Sequence, residues 1–329
     1  MFILRFSYQM LRIVFRAVLE FNTSKKETLS LIKQLESTHQ GKFAPSAIQK
    51  ASRFQAVQQI FINDAFANLI DRDTNEYERT SNKLYFILTG LYDDIIDQKM
   101  LSSEALDDLF NNPLNNSSTL FEVKTLVDVH LQLLKRTKYP DQYNSTLAKI
   151  HQAQKDSIEQ FKSQIEQSKL LDITLRKGGY SLLMCRHYID LPQSDEMDQC
   201  WLQLGGIIQF TNDLYDIYKD VQEGIYTYPN TSSNFNDLKD CFEELTNAWK
   251  NTIDSLPFSK TQKEKLLIQL SVIPAFGNIA LDNLSKLQDI QGNLPKFSEV
   301  DRKDLIIDME KTKNRFKLIQ LAYKIAKSN

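Results

Sequence analysis

Two clusters of oxygen-bearing side chains stand out from an apolar background. The first is Leu91-Tyr92-Asp93-Asp94-Ile95-Ile96-Asp97, a DDxxD box that ends the apolar run Leu84 to Gly90. On a helix, residues three and four apart share a face, so Asp93 and Asp97 lie over one another with Asp94 beside them. Such a cluster suits Mg²⁺, which takes one or two carboxylates and completes its shell with water and phosphate oxygens. The second cluster is Asn212, Asp216 and Asp220, in the run Gly205 to Asp220. At roughly 100° per residue, a step of four drifts only about 40°. The three side chains therefore form one stripe, flanked by Asp213 and Lys219. Either cluster alone reads equally well as a solvated helix face. Together, more than a hundred residues apart, they suit a site for three Mg²⁺ ions and a diphosphate. There the metal assists departure of diphosphate as a Lewis acid, and an apolar wall shelters a carbocation from water.

The elements that must position these residues are helices. The chain has 329 residues, 42% of them hydrophobic, and only 9 Gly and 8 Pro. So few breakers in so long a chain predict long helices with few turns. Apolar residues recur at threes and fours from Ser46 to Leu69, and further helices are expected over 75–97, 119–134, 143–169 and 195–223. Three more follow at 237–255, 260–287 and 300–325. A helix over 170–189 is expected to break at Gly178-Gly179, because two adjacent glycines cost helix stability. No strand-like alternation, fixed repeat or low-complexity tract is present. The expectation is an all-α fold: a single domain, residues 1–329, of roughly ten or more helices around a central apolar cavity.

Charge and cysteine usage narrow the function. A formal net charge of −2 gives no electrostatic footprint for nucleic acid. Cys185, Cys200 and Cys241 are odd in number and lack metal-ligand spacing, which predicts reduced thiols and a cytoplasmic location. Residues 1–24 are apolar and aromatic but interrupted by Arg5, Arg12 and Arg16, too charged for a spanning helix. They read as an amphipathic helix, either packed on the body or lying at a membrane surface as a peripheral contact. The histidines form no set: Glu36 and His39 make a single ExxH, short of the two a di-iron bundle requires. A homodimer is compatible with a helical chain of this size.

The chain resembles class I isoprenoid (terpenoid) synthases, and within them the squalene/phytoene synthase-like branch that includes bacterial terpene cyclases. Tyr92 to Gln98 is similar to that branch's first aspartate-rich motif. Gln209-Phe210-Thr211-Asn212 through Asp216 to Asp220 resembles its second, Q-x-T-N-x-x-x-D-x-x-x-D. Gly224-Ile225-Tyr226-Thr227-Tyr228-Pro229 stands where the branch has G-R-x-Y-x-P. Asn212-Asp213 with Lys219 is also similar to the N-D-x-x-S-x-x-K-E metal motif of terpene cyclases, with Asp216 and Asp220 departing from its Ser and Glu.

The resemblance implies Asp93, Asp94, Asp97, Asn212, Asp216 and Asp220 as metal-binding and catalytic residues. It also implies Arg176 and Lys177 as diphosphate-binding residues on a broken helix, against the plain alternative of a loop with solvated charges. Lys219 and Tyr226 join them, with Arg186 and Arg315 as weaker candidates. Phe86, Thr89, Gly205, Gln209, Phe210 and Tyr215, within a turn or two of the motifs, are candidates to line a prenyl pocket where aromatic faces stabilise a cation. Gly205 and Gly206 equally suit close helix packing.

The implied reaction is Mg²⁺-dependent ionisation of a prenyl diphosphate, from farnesyl to geranylfarnesyl length or longer, giving a terpene hydrocarbon or alcohol and diphosphate. The alternatives are head-to-head prenyl transfer, for which the expected additional basic and tyrosine-rich motifs have no counterpart here, and a non-catalytic helical scaffold.

Overall fold

Helix is the only regular structure among the described residues, apart from one isolated bridge between Asn234 and Asn293. The computed structural model describes residues 2–115 and 117–327, without the side chains of Asp97, Ser103, Phe110, Asn111 and Leu114. The helices fall into two units: Met10–Ser145 with His187–Leu191, and the segment up to Gln9 with Thr146–Arg186 and the chain from Pro192 onward.

The long α1 (Phe2–His39), which belongs to the first unit from Met10 on, runs unbroken from the apolar N-terminal stretch past Lys25 to His39, so residues 2–24 are not a separate element. It is followed by α2 (Pro45–Val57), a π-helical turn (Gln58–Asn63) and α3 (Asp64–Ala67). The bundle is completed by α4 (Glu76–Asp97), α5 (Ser103–Asn111) and α6 (Phe121–Arg136). The start of α4 is fixed by a capping box. The Asn75 side chain accepts from the Glu78 amide at 3.0 Å, and Glu78 accepts from the Asn75 amide at 2.8 Å. Glu78 also takes a forked pair from Arg72 at 2.7 and 2.6 Å, and the Asp190 amide at 2.7 Å. This anchor sets the register that carries the DDxxD box at the far end of α4.

The inward contacts of α1 between Met10 and Glu20 are largely ionic. Arg16 lies 3.0 Å from the fully buried Asp64 and donates to Glu20 at 2.7 Å. Arg79 reaches Glu20 at 2.9 Å and Asp64 at 3.4 Å. Asp64 accepts further from Gln59 at 3.0 Å and from Thr74. Burial pushes the Asp64 carboxyl up, against the pull of Arg16 and Arg79. A buried charge persists only when paired and hydrogen-bonded in this way.

The second unit contains most of α7 (Pro140–Asp156), then α8 (Gln167–Arg186), α9 (Asp195–Tyr215), α10 (Ile217–Glu223) and α11 (Tyr228–Thr231). After these come α12 (Phe235–Ser255), α13 (Lys260–Leu270), α14 (Val272–Leu284), α15 (Arg302–Leu305) and α16 (Thr312–Lys327). The helix expected over 260–287 is bent by 41° between α13 and α14, beside Pro274, which has no N–H for the preceding turn. The helix expected over 143–169 ends at Asp156, and the one over 300–325 is interrupted between Leu305 and Thr312. Among the described residues no single helix is long and apolar enough to cross a membrane. The bent pair α13 and α14 passes by length and composition, but Leu266, Leu267, Ile268, Leu270, Ala275 and Ile279 in it are buried.

Contrary to expectation, α8 runs straight through Gly178 and Gly179. The glycines serve contact with α9. A Cβ on Gly178 would lie 2.2 Å from the Gly205 carbonyl oxygen, and one on Gly205 would lie 2.3 Å from the Gly178 carbonyl oxygen. The cost of two glycines in a helix is offset by packing that only glycines permit. Because the obstacle is backbone on both sides, Gly205→Ala should destabilise the protein by about 1–3 kcal/mol and lower its melting temperature in circular dichroism. An unchanged melting temperature would show that the two helices have room to spare.

Candidate functional site

In the first unit the DDxxD box forms the last turn of α4. Leu91, Tyr92 and Ile95 turn inward, and Asp93 and Asp94 stand half-exposed. Asp93 is met by Lys50 of α2, Nζ to Oδ2 3.2 Å. Burial, with Asp93 and Asp107 nearby, pushes the Tyr92 phenol up. Carboxylates at a helix C-terminus face the negative end of the macrodipole, and Lys50 supplies a partial counter-charge. The side chain of Asp97 lies outside the described residues. Of the pocket candidates here, Phe86 is partly exposed and packs edge-on against Tyr85 at 5.6 Å. Thr89, also partly exposed, spends its hydroxyl on the Phe86 carbonyl at 3.0 Å.

In the second unit the second motif spans the junction of α9 and α10. The expected single helix over 195–223 bends at Asp216, which caps the end of one and the start of the other. The backbone bonds continue across it, from Asp216 N to Asn212 O at 2.9 Å and from Asp220 N to Asp216 O at 2.8 Å. The stripe divides: Asn212 and Asp216 are exposed and Asp220 is buried. Asp213, read from sequence as a bystander, is buried between α8 and α9. It accepts from Thr174 Oγ1 at 2.7 Å and from Gln209 Nε2 at 2.8 Å. Burial pushes its carboxyl up, opposed by those two donors and by the charge of Lys177. Burial, with Asp213 and Asp216 close by, pushes the Asp220 carboxyl up to about 7, while Lys219 pulls the other way. Three acids thus press on one another at the bend.

An open groove of about 400 Å³ borders the bend on its Asp216 side, lined by Tyr215, Asp216, Tyr218, Lys219, Glu223 and Arg302 among others. The groove mixes acids with two cations. Lys219 is exposed and 3.9 Å from Glu223, and Arg302 of α15 sits over the Tyr218 ring at 5.7 Å.

The remaining candidates are placed as follows. Arg176 is held by two carboxylates, Asp156 at 2.7 Å and Asp172 at 2.7 Å, so it is a structural clamp between α7 and α8 as it stands. Lys177 is partly buried beside Asp213. Arg186 is fully buried, 2.6 Å from Asp198, and Arg315 donates to the Met309 carbonyl at 3.2 Å. The Tyr226 amide donates to the Gln160 carbonyl at 2.7 Å, and the Gln160 side chain donates back to the Tyr226 carbonyl at 3.2 Å. Tyr226 is therefore tied by its backbone, with its ring partly exposed. Gly205 touches Gly178 and leaves no room for a ligand there. Phe210 is fully buried against Tyr228 and Phe242, at 5.7 and 5.5 Å between ring centroids, and belongs to the core. Tyr215 is partly exposed in the groove and donates to the Phe276 carbonyl at 3.3 Å.

Sequence reasoning missed Thr174, Gln160 and Arg302. Thr174 carried a signal, as a hydroxyl one turn before Gly178 on the face that meets α9. The other two depend on chain returns that no local pattern announces.

Among the described residues, no group of three or more His, Cys, Asp or Glu side chains is gathered closely enough to hold a metal ion. The donor chemistry suits a different mode of Mg²⁺ binding, in which one or two carboxylates hold an ion that arrives with phosphate oxygens. Asp216 and the Asn212 amide are accessible for that role. Protein-family models, curated proteins and solved structures contain no match to the chain.

The crowding at the bend has a measurable consequence. An acid raised in the folded state keeps its proton there after the unfolded chain has lost it. Stability therefore falls as pH rises from the ordinary value of 3.8 through about 7. Without divalent cation, Asp220→Asn should melt a few degrees above wild type at pH above 7, with the gap closing toward pH 4. Identical melting curves across that range would show that Asp220 bears no such load.

Proposed function

We propose that the protein is a Mg²⁺-dependent enzyme that ionises a prenyl diphosphate and releases diphosphate with a terpene hydrocarbon or alcohol. What supports this reading is one arrangement: Asp213, Asp216 and Asp220 converge at the bend between α9 and α10, beside a groove that also presents Lys219 and Arg302. Acids for a cation and cations for an anion at one place are what a metal diphosphate requires. The all-helical build and the resemblance of both motifs to those of class I isoprenoid synthases point the same way.

In this reading Asn212 and Asp216 are the metal ligands of the second motif, with Asp220 joining them on losing its proton. Asp93 and Asp94 are the metal ligands of the first motif. Asp213 acts as a positioning residue, fixed by Thr174 and Gln209 and holding Lys177 in place by its charge. Lys219 exchanges Glu223 for a phosphate oxygen, and Arg302 approaches from the opposite wall. Bound Mg²⁺ would neutralise the diphosphate and assist its departure as a Lewis acid. A cytoplasmic setting follows from the reduced thiols expected of Cys185, Cys200 and Cys241.

The deciding experiment incubates the protein and Mg²⁺ with geranyl, farnesyl, geranylgeranyl and geranylfarnesyl diphosphates, one at a time, and analyses the organic extract. A terpene with the carbon number of its substrate is expected. A product of doubled carbon number would replace ionisation and cyclisation with head-to-head transfer, and inertness across the series would leave a helical scaffold. Asp93→Ala, Asp94→Ala and Asn212→Ala should each lower kcat by about 10²-fold or more with the melting temperature retained. Undiminished turnover in any one removes that residue from the site.

A further inference from the structure

One stretch of the first helix turns charge inward and an apolar stripe outward. Between Met10 and Glu20, α1 meets its unit through Ile13 and the charges of Arg16 and Glu20, which engage Asp64, Asp73 and Arg79. Its outer side carries Leu11, Val14, Phe15, Val18 and Leu19, each 58–71% exposed. The spacing is i, i+3, i+4, i+7, i+8, the apolar stripe that a helix normally turns toward a core. Five such side chains expose an apolar patch on the order of 500 Å², a size at which a surface patch is often functional.

The charges around the stripe select what covers it. On the helical wheel Arg12 borders one side of the stripe, and Lys25 and Lys26 follow at its C-terminal end. Among the described residues none of the three has an ion-pair partner. Residues 2–19 include no Asp or Glu, and Glu20 is turned inward to Arg16 and Arg79. A second copy docking by a two-fold axis would bring this cation-bordered stripe against itself, setting like charges side by side. An anionic lipid surface is complementary instead: acyl chains receive the apolar stripe and headgroups receive the cations.

We propose that α1 lies on an anionic lipid surface through Leu11, Val14, Phe15, Val18 and Leu19, with Arg12, Lys25 and Lys26 at the headgroups. The ionic contacts of Arg16 with Asp64 and Asp73 keep the stripe outward, so the surface is preformed and exposed. This inference is independent of the catalytic reading and holds whether or not the chain turns over a prenyl diphosphate.

The test floats the full-length protein with vesicles of phosphatidylcholine alone and of equal parts phosphatidylcholine and phosphatidylglycerol. Partition onto the mixed vesicles is expected, weakened by added salt as screening requires. The double variant Phe15→Glu, Val18→Glu should lower it at least about tenfold, with an unchanged melting temperature because both side chains are exposed. Phe15→Trp is a second readout, since Trp201 and Trp249 are fully buried; its fluorescence should be quenched by brominated acyl chains. Failure to float with the mixed vesicles, undiminished partition of the double variant, or an unquenched Trp would overturn the proposal. So would a dimer in light scattering that Phe15→Glu dissociates, since that would assign the stripe to a second copy.

Discussion

The second unit depends on the backbone approach of α8 to α9 at Gly178 and Gly205. Two helices that close cannot be separated by side chains at the crossing, so whatever flanks the crossing is forced into direct contact. One turn before Gly178 is Thr174, and one and two turns after Gly205 are Gln209 and Asp213. The carboxylate of Asp213 is consequently gripped from both helices. Lys177, the neighbour of Gly178 in sequence, is brought within electrostatic reach of it. A side chain at either glycine would part the helices and leave a buried carboxylate with fewer donors, a costly state in a low-dielectric setting. The packing contact and the polar arrangement are therefore one constraint.

The first unit solves a related problem with the opposite chemistry. There the buried acid is Asp64, and the groups that satisfy it arrive from α1, α4 and the π-helical turn. Because Arg16 must face inward to reach Asp64, the residues on the other side of the same turns are committed to face outward. Between Met10 and Glu20, charge pairing together with Ile13 fixes the rotation of α1, while Ile32 and Leu35 seat its later turns by apolar contact, as in an ordinary surface helix. The exposed apolar side is thus a consequence of the buried ion network.

Much of this was legible in the sequence because helix periodicity and capping are local. Asn75 and Glu78 mark the start of α4, and Asp97 its end, where the pattern places them. The acidic motifs were visible as spacing. What was not legible required a partner. Gly178-Gly179 reads as a break because propensity counts the lost side chains, while only the facing glycine on α9 shows what is gained. Phe210, next to the motif in sequence, points into the core because α11 and α12 return to cover it. Arg176 looks like a free cation until Asp156 and Asp172 are seen on either side. Asp213 looked secondary because a spacing of four selects Asn212, whereas depth of burial depends on where α8 lies.

The two acidic motifs occupy electrostatic positions that spacing alone does not reveal. Asp93 and Asp94 occupy the last turn of α4, whereas Asp216 ends α9 and starts α10 at once. The first pair faces the negative end of a helix dipole, a placement that disfavours a carboxylate by about 0.3–1 kcal/mol. At the second motif the backbone bonds run on through Asp216, so opposite helix ends meet there and the crowding comes from the acids themselves. In the first unit Lys50 relieves part of the load, and in the second Asp220 does so by holding its proton to about 7. Each motif, in its own unit, carries a standing demand for positive charge. In the proposed function a divalent cation would meet that demand, and at the second motif Lys177, Lys219 and Arg302 would balance the phosphate that accompanies it.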